Sequence, residues 1–269
     1  MDMNTLNLVT TETTADLTTL DSSQLEAWFA DAGLAVTEVA HDILWLDNFL
    51  LIIITAIAVF VTALLLFVIV RFNKRANPKP ATFTHNAGLE IAWTAIPVLI
   101  LVIIAIPSLR LLFLQLDVPE PDLTIKATGS QWYWTYEYPD EGIRFDSIMV
   151  AEANLKEGQP RLLTVDNDVV VPVNANVIVG LKSNDVIHDW AVPAFGVKLD
   201  AVPGRYQKTW FRAEREGIFY GQCSELCGRN HAFMPIAVRV VSQDEYDAWV
   251  AEHKSAAIDT DGKVASVQD

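Results

Sequence analysis

Cysteine is scarce in this sequence, and positive charge is outnumbered almost two to one. Two cysteines occur in 269 residues, and 34 acidic residues against 19 basic ones leave a formal net charge of −15. So acidic a chain repels phosphate, which excludes nucleic acid as a natural partner. A basic protein is its natural complement. No Cys-x-x-Cys-His motif occurs either, so no haem is expected in this chain.

Positive charge is absent from the first 48 residues, which hold nine acids. They also lack the basic start and compact apolar segment of a secretory signal. We therefore expect residues 1–43 to form an acidic N-terminal tail. Basic residues first appear at 71–79, where four of them stand without an acid.

Charge of either sign is absent from two long apolar runs, residues 49–70 and 91–109. A helix rising about 1.5 Å per residue covers about 33 Å over the first run, enough for a hydrocarbon core of about 30 Å. The second run contains Pro97 and Pro107, which membrane helices tolerate where neighbouring helices satisfy the freed carbonyls. The sequence therefore predicts a transmembrane helical hairpin within residues 44–116, surrounded by membrane lipid and by other helices.

The basic cluster lies in the short loop between the two runs, and acidic segments flank them. Because basic loops stay on the cytoplasmic side, both termini are expected on the opposite, periplasmic side. The long acidic N-terminal stretch favours a bacterial inner membrane over a mitochondrial one.

Beyond residue 117 the pattern changes to short runs that alternate apolar and polar residues or are β-branched, such as 123–129 (LTIKATG) and 161–167 (RLLTVDN). Turn residues separate these runs. The pattern predicts an exported all-β sandwich or barrel over residues 117–253, closed by a helix capped by Ser242. Residues 254–269 are expected to be a flexible tail.

The two cysteines stand together with other soft metal ligands. Cys223 and Cys227 are followed by His231 and Met234, and His188 precedes them. A disulfide is the ordinary interpretation of two cysteines in an exported domain, but this one would close only a very small loop. Zinc would use the cysteines and histidines but not a thioether, and a mononuclear blue copper site needs only one cysteine. The second cysteine favours two thiolates that bridge two copper ions.

Several further segments carry a family resemblance. They are residues 85–86 (HN), 90–94 (EIAWT), 132–138 (WYWTYEY), 165–167 (VDN), 188–193 (HDWAVP), 200–205 (DAVPGR) and 220–223 (YGQC). With the cysteine loop and the hairpin, residues 45–250 resemble subunit II of cytochrome c oxidase. The resemblance implies a cupredoxin-like domain with a dinuclear copper centre, called CuA, that passes electrons from cytochrome c to a haem–copper large subunit for proton-pumping reduction of oxygen.

The resemblance also assigns individual roles. Cys223 and Cys227 would bridge the coppers. His188 and Met234 would complete one ion, and His231 with the Glu225 carbonyl would complete the other. The Glu225 side chain would reach a magnesium or manganese ion shared with subunit I.

Two residues outside this ligand set also receive roles by resemblance. Trp132 would be the electron entry point, and Glu90 a proton entrance for the large subunit. Surface acids would steer cytochrome c (Glu137, Asp140, Glu141, Asp146, Asp166 and Asp185). Asp189 departs from the small or neutral residue expected beside His188, and would either change the potential or point to solvent.

Three related families offer alternatives. A quinol oxidase subunit II lacks the copper ligands, all of which are present in this chain. Nitrous oxide reductase carries a large propeller domain and no hairpin. Copper-containing nitric oxide reductase pairs a similar domain with a haem subunit, so the sequence is also compatible with that family. A copper chaperone or sensor would need an exposed, labile site.

Overall fold

The computed structural model describes residues 35–156 and 159–259, and the positions of side chains up to residue 254. These residues divide into a helical unit, His41–Asp117, and a second unit with residues 35–40 and the chain from Val118 onward. The N-terminal tail proposed for residues 1–43 lies outside the described residues up to position 34.

Two long helices form the helical unit: α1 spans Glu38–Arg71 and α2 spans Ala87–Leu116. Both extend beyond the uncharged runs, and within the most apolar stretch of each no residue is buried in the protein. Apolar side chains exposed on all sides would be unfavourable in water, at roughly 25 cal/mol per Å². A groove lined by Trp45 and Phe49 of α1 and by Ile106 and Arg110 of α2 shows that the start of α1 lies beside the end of α2. The helices are therefore antiparallel, and their surface suits a membrane.

Asn86 caps α2, and its side chain accepts a hydrogen bond from the Leu89 amide at 3.2 Å. In return, Glu90 Oε1 accepts from the Asn86 amide at 3.3 Å. This reciprocal pair satisfies amide groups that a helix start leaves without partners. Pro97 and Pro107 lie inside α2 without ending it.

Ten strands form two five-stranded sheets in the second unit. Their bounds are β1 Leu123–Ser130, β2 Tyr133–Tyr138, β3 Ile143–Ser147, β4 Val169–Pro172, β5 Val177–Ser183, β6 His188–Val192, β7 Val197–Ala201, β8 Gln207–Phe211, β9 Gly217–Cys223 and β10 Pro235–Val241. One sheet has the order β3-β2-β1-β5-β8 and the other β4-β10-β9-β6-β7. The β1–β5 and β4–β10 pairs are parallel and the remaining pairs are antiparallel.

Large aromatic side chains fill the space between the sheets. Trp134, Tyr136 and Tyr138 share one face of β2 and are fully buried, and Trp190 and Phe211 meet them from other strands. The Trp190 indole N–H donates to the Tyr136 hydroxyl at 3.1 Å, which satisfies both polar groups. Burial strongly raises the pKa of Tyr136 and keeps its hydroxyl protonated. The predicted fold class, a helical hairpin followed by an all-β sandwich, is confirmed.

The sequence pattern mistook one segment for a strand. Residues 161–167 form turns, and only Val165 makes an isolated β-bridge, to Met149. Thr164 and Val165 pack inward side by side, without the alternating burial of a strand. The closing helix, α3, spans Gln243–Asp259 and begins where the Ser242 hydroxyl accepts from the Glu245 amide at 3.3 Å. It therefore runs into the proposed flexible tail, whose last ten residues lie outside the described part.

A short segment before α1 is built into the β unit. The Val36 amide donates to the Ala194 carbonyl and the Glu214 amide donates to the Val36 carbonyl, both at 2.9 Å. The Thr37 hydroxyl donates to the Phe195 carbonyl at 2.8 Å and accepts from the Ala40 amide at 3.0 Å. Residues 36–40 are therefore ordered in a stretch that sequence reasoning assigned to the tail.

Candidate metal centre

The ligand loop lies at one end of the sandwich, between β9 and β10. Cys223 is the last residue of β9, and the antiparallel register places Gln222 opposite Pro235 at the start of β10. The residues between these strands carry Cys227, His231 and Met234. Because both ends of the loop are held by the same strand pair, its three donors are confined to a small volume.

His188 reaches the loop through strand pairing, although it lies 35 residues before Cys223. It opens β6, which pairs with β9 so that Trp190 lies opposite Cys223. The register therefore brings the imidazole to the first cysteine.

The potential donor atoms lie within contact distance of the two sulfurs. Cys223 Sγ is 3.8 Å from Cys227 Sγ, 3.9 Å from His188 Nδ1 and 3.4 Å from the Glu225 carbonyl oxygen. Cys227 Sγ is 3.5 Å from His231 Nδ1 and 3.5 Å from Met234 Sδ. Both cysteines are free thiols. The structure thus brings together all six donor groups named from the sequence.

Most of this cluster is shielded from water. His188 is 0% exposed and Met234 1%, and both cysteines are buried, while His231 is partly exposed. Burial, and then the neighbouring Cys223 thiol, raise the pKa of Cys227 to about 12. The Cys227 thiol therefore stays protonated at neutral pH unless a cation takes the place of its proton.

The donor chemistry fits copper better than zinc. A closed zinc site uses four ligands and seldom a thioether, whereas two thiols, two imidazoles, a thioether and a carbonyl are available here. Soft sulfur donors combined with imidazole are typical of copper sites. Among the described residues, His188, Cys223 and Cys227 form the one group of three or more His, Cys, Asp or Glu residues whose ligand atoms all lie within 4.8 Å of one another.

Asp185 holds the other side of the His188 ring. Its Oδ1 lies 2.8 Å from His188 Nε2, and its Oδ2 accepts from the Gln131 amide at 2.7 Å. Partial burial raises the pKa of Asp185, but hydrogen bonds from His188, Val186 and Gln131 outweigh it and lower the pKa below its ordinary value. The carboxylate is therefore ionised at neutral pH. Sequence reasoning counted Asp185 among the surface acids, and its place three residues before His188 was the one available signal of this contact.

The turn between β1 and β2 packs against the ligand loop. Gln131 Nε2 and Trp132 Nε1 both donate to the Cys227 carbonyl, at 2.8 and 3.3 Å. Gly228 leaves room for them, since a Cβ there would lie 3.0 Å from Gln131 Nε2 and its φ of +121° is unfavourable for other residues. The half-buried Trp132 indole thus touches the backbone of a cysteine in the cluster.

Asp189, whose role the sequence left open, does not point to solvent. It is 1% exposed and lies opposite Asp200 in the β6–β7 pair. Burial, and then a hydrogen bond with Asp200, raise the pKa of Asp189 to about 6. Its Oδ1 has no hydrogen-bond partner among the described residues.

The remaining candidates, the Glu225 side chain and Glu90, contribute no atom to the sulfur cluster. The Glu225 side chain is exposed, and it joins no group of three or more close ligand atoms within the described ranges. Glu90 lies in the helical unit, where its carboxylate serves the α2 cap.

The fold and the site together define a class: a membrane-anchored, cupredoxin-like protein with a His/Cys/Cys group suited to copper. Two family models match the chain, "Cytochrome C oxidase subunit II, periplasmic domain" over residues 123–241 and "Cytochrome C oxidase subunit II, transmembrane domain" over residues 22–111. The chain belongs to the cytochrome c oxidase subunit II family, and is therefore a component of an oxidoreductase complex.

The chain is also similar to individual proteins. The chain is 55% identical over 221 residues to a probable cytochrome c oxidase subunit 2 of Rickettsia bellii, covering 81% of this chain and 82% of that protein. It is 52% identical over 236 residues to cytochrome c oxidase subunit 2 of Cereibacter sphaeroides, covering 81% and 78%. The crystal structure of the periplasmic domain of subunit II of cytochrome oxidase of Bradyrhizobium japonicum is 58% identical, with a TM-score of 0.49, and covers 52% of this chain and 98% of that one.

Proposed function

We propose that this chain accepts electrons from cytochrome c at a dinuclear CuA centre and passes them to the haem–copper subunit I, which reduces oxygen to water and pumps protons. The observation that carries the proposal is the pair of free, buried thiols 3.8 Å apart, with an imidazole nitrogen near each sulfur. One thiol would suffice for a mononuclear copper site, so the second supports two ions.

Each ion would have its own set of terminal donors. Cys223 and Cys227 would bridge, His188 and Met234 would hold one copper, and His231 with the Glu225 carbonyl the other. When bound, two coppers that share one electron would supply electron uptake with little reorganisation. The protein's part is to hold these donors in a dry pocket whose shape is set by strand pairing.

Trp132 is the proposed point of electron entry. Its indole is partly exposed, and its N–H lies 3.3 Å from the Cys227 carbonyl oxygen. This hydrogen bond leads from the surface into the backbone of a thiolate ligand.

The surface charge supports cytochrome c as the donor. The chain from residue 117 onward carries 24 acidic and 14 basic residues, a formal charge of −10. Six of these acids are the ones named above, and Glu137 and Glu141 are already engaged in ion pairs with Arg144 and Lys254. A net negative field steers a basic partner into encounter and is screened by salt.

Two further roles concern protons and a second metal. Glu90 would admit protons toward subunit I, and the Glu225 side chain would bind magnesium or manganese together with that subunit. Membrane topology follows the charge pattern, with the 72–86 loop in the cytoplasm and both termini in the periplasm of a bacterial inner membrane. Other oxidase subunits would cover the exposed faces of α1 and α2.

The domain division is part of the same proposal. It comprises a tail of residues 1–43, a hairpin of 44–116, an exported copper domain of 117–253 and a flexible end of 254–269. Within this division, Val36 and Thr37 of the tail are hydrogen-bonded to the β unit, and α3 extends past residue 253 to Asp259.

Metal analysis of the purified full-length chain, assembled with its oxidase, provides the test. We expect two coppers per chain beyond the copper of subunit I, together with the electron paramagnetic resonance signal of one unpaired electron shared by two copper nuclei. One copper, or zinc, in this chain would contradict the proposal.

A further inference from the structure

The carboxylate of Asp185 is held in place by several donors at once. Its Oδ1 accepts from the Val186 amide at 2.7 Å and lies 2.8 Å from His188 Nε2, while its Oδ2 accepts from the Gln131 amide at 2.7 Å. Ser183 Oγ lies 3.4 Å from Oδ1. A side chain that served only as a mobile surface charge would not need this many partners.

This contact determines which nitrogen of His188 carries the proton. An ionised carboxylate can only accept hydrogen bonds, so the ring N–H that faces Asp185 must be on Nε2. Nδ1 is the ring nitrogen left for a metal ion, and it lies 3.9 Å from Cys223 Sγ. The hydrogen bond to Asp185 therefore sets, before any ion arrives, which nitrogen of His188 can bind it.

The ring also has little freedom to rotate. A Cβ at Gly129 would lie 2.7 Å from His188 Cδ2, so the ring packs directly on the β1 backbone. Trp134 meets the imidazole with an edge-on contact at 6.0 Å between ring centroids. Packing holds the plane of the buried ring but does not distinguish its two flipped orientations. The Asp185 hydrogen bond selects the orientation in which Nε2 faces the carboxylate.

The same carboxylate ties His188 to the proposed electron-entry turn. Oδ2 anchors the Gln131 amide, and the side chains of Gln131 and Trp132 both donate to the Cys227 carbonyl. Asp185 thus connects the imidazole on one cysteine with the indole that contacts the backbone of the other.

We propose that Asp185 is the positioning residue of this centre: it selects the Nε2–H tautomer of His188 and holds the entry turn against the ligand loop. The inference rests on the proposed copper-binding function for its consequence, but the tautomer is a property of the copper-free chain. It also separates Asp185 from the other surface acids, which would act on cytochrome c only through their charge.

The first test needs no metal. Nitrogen-15 NMR of histidine-labelled, copper-free chain in detergent should show His188 in the Nε2–H tautomer, and Asp185→Ala should shift it toward Nδ1–H or a mixture. A dominant Nδ1–H form in the unsubstituted chain would overturn the proposal. Absence of a copper pair would instead remove the proposed function and leave the tautomer result standing.

The second test measures copper retention in the assembled oxidase against a competing chelator. Loss of a carboxylate that orients a ligating histidine typically costs about 10–100-fold in metal affinity, and we expect a loss in that range for Asp185→Ala. Asp185→Asn keeps an acceptor oxygen but removes the charge, so it should retain copper and shift the midpoint potential upward. Asp140 is an exposed acid in the β2–β3 turn, so Asp140→Asn is the control for loss of charge alone. It should leave the copper affinity and the copper spectrum unchanged.

These variants also separate positioning from docking. A docking residue would raise the KM for cytochrome c in both Asp185 variants and leave their copper affinity, spectrum and potential unchanged. That combination would overturn the positioning role. If Asp185→Ala fails to assemble, Asp185→Asn decides: an unchanged potential and spectrum count against the proposal, and an upward shift absent from Asp140→Asn supports it.

Discussion

The helical unit and the β unit use apolar residues in opposite ways. In α1 and α2 the apolar side chains face outward along nearly the whole length, while in the sandwich they face inward. A helix satisfies its own backbone, so it can present apolar side chains to lipid. Strands depend on neighbours that are distant in the sequence, and this dependence is what brings His188 to Cys223. The hairpin therefore supplies attachment through local structure, and the sandwich supplies a site through non-local pairing.

The largest effect is expected from Cys227→Ser, because it removes a sulfur donor from the metal centre of the β unit. A serine hydroxyl cannot replace a bridging thiolate, so the copper pair should be lost and electron uptake from cytochrome c should fall to background. Metal content and stopped-flow reduction of the purified oxidase measure both. Because the hairpin contributes no donor, the chain should still insert in the membrane. A Cys227→Ser protein that keeps two coppers and its spectrum would contradict the bridging role of Cys227.

Trp132→Ala comes next, because it removes the contact between the surface and the Cys227 carbonyl while leaving every donor in place. The rate of electron entry should drop by at least tenfold with two coppers retained. The dependence of activity on ionic strength should stay the same, because the substitution removes no charge. The acids that steer cytochrome c, whose field is screened over about 8–10 Å at physiological salt, are unchanged. Tyr133→Ala, the next residue along, is the matched control. An unchanged entry rate in Trp132→Ala would exclude it from the route.

Met234→Leu should have a smaller effect than Cys227→Ser. A thioether is a weak ligand, and leucine fills a similar buried volume at a cost typically below about 1.5 kcal/mol. We expect retained copper, an altered visible spectrum and slower electron transfer. Complete loss of copper from a folded Met234→Leu protein, judged by circular dichroism, would contradict the role of Met234 as a weak ligand.

Glu90→Gln, in the helical unit, should have the smallest effect on the metal centre. The carboxamide can still accept from the Asn86 amide, so stability should change by no more than about 0.3–1 kcal/mol. If Glu90 admits protons, oxygen turnover and proton uptake should slow while reduction of the copper pair by cytochrome c stays normal. Flash kinetics resolves the two steps. Normal steady-state turnover would leave Glu90 as a helix cap alone.

Local sequence patterns predicted the membrane helices, the cap of α3 and most of the ligand cluster. Uncharged runs of bilayer length identified both membrane helices, because a span is defined by its own side chains. The Ser242 cap is local in the same sense, and the structure shows its hydrogen bond to Glu245. The close spacing of Cys223, Cys227, His231 and Met234 named most of the candidate cluster before any fold was known.

Contacts between distant segments could not be obtained in this way. The exchange of hydrogen bonds between Val36 and the 194–214 region, and the packing of Gly129 beneath His188, have no marker in their own sequence neighbourhood. The sequence around Asp185 is that of a solvated acid, whereas the turn before β6 places its carboxylate against the His188 imidazole.

The sequence by itself therefore determined where the chain can meet lipid and which donor types stand together in one loop. Only the tertiary structure decided that His188 lies 3.9 Å from Cys223, that its other nitrogen faces a carboxylate, and that Trp132 touches the ligand loop. The physical reason is one of range. Hydropathy and capping act within a few residues of the chain, whereas strand register transmits position across the 35 residues between His188 and Cys223.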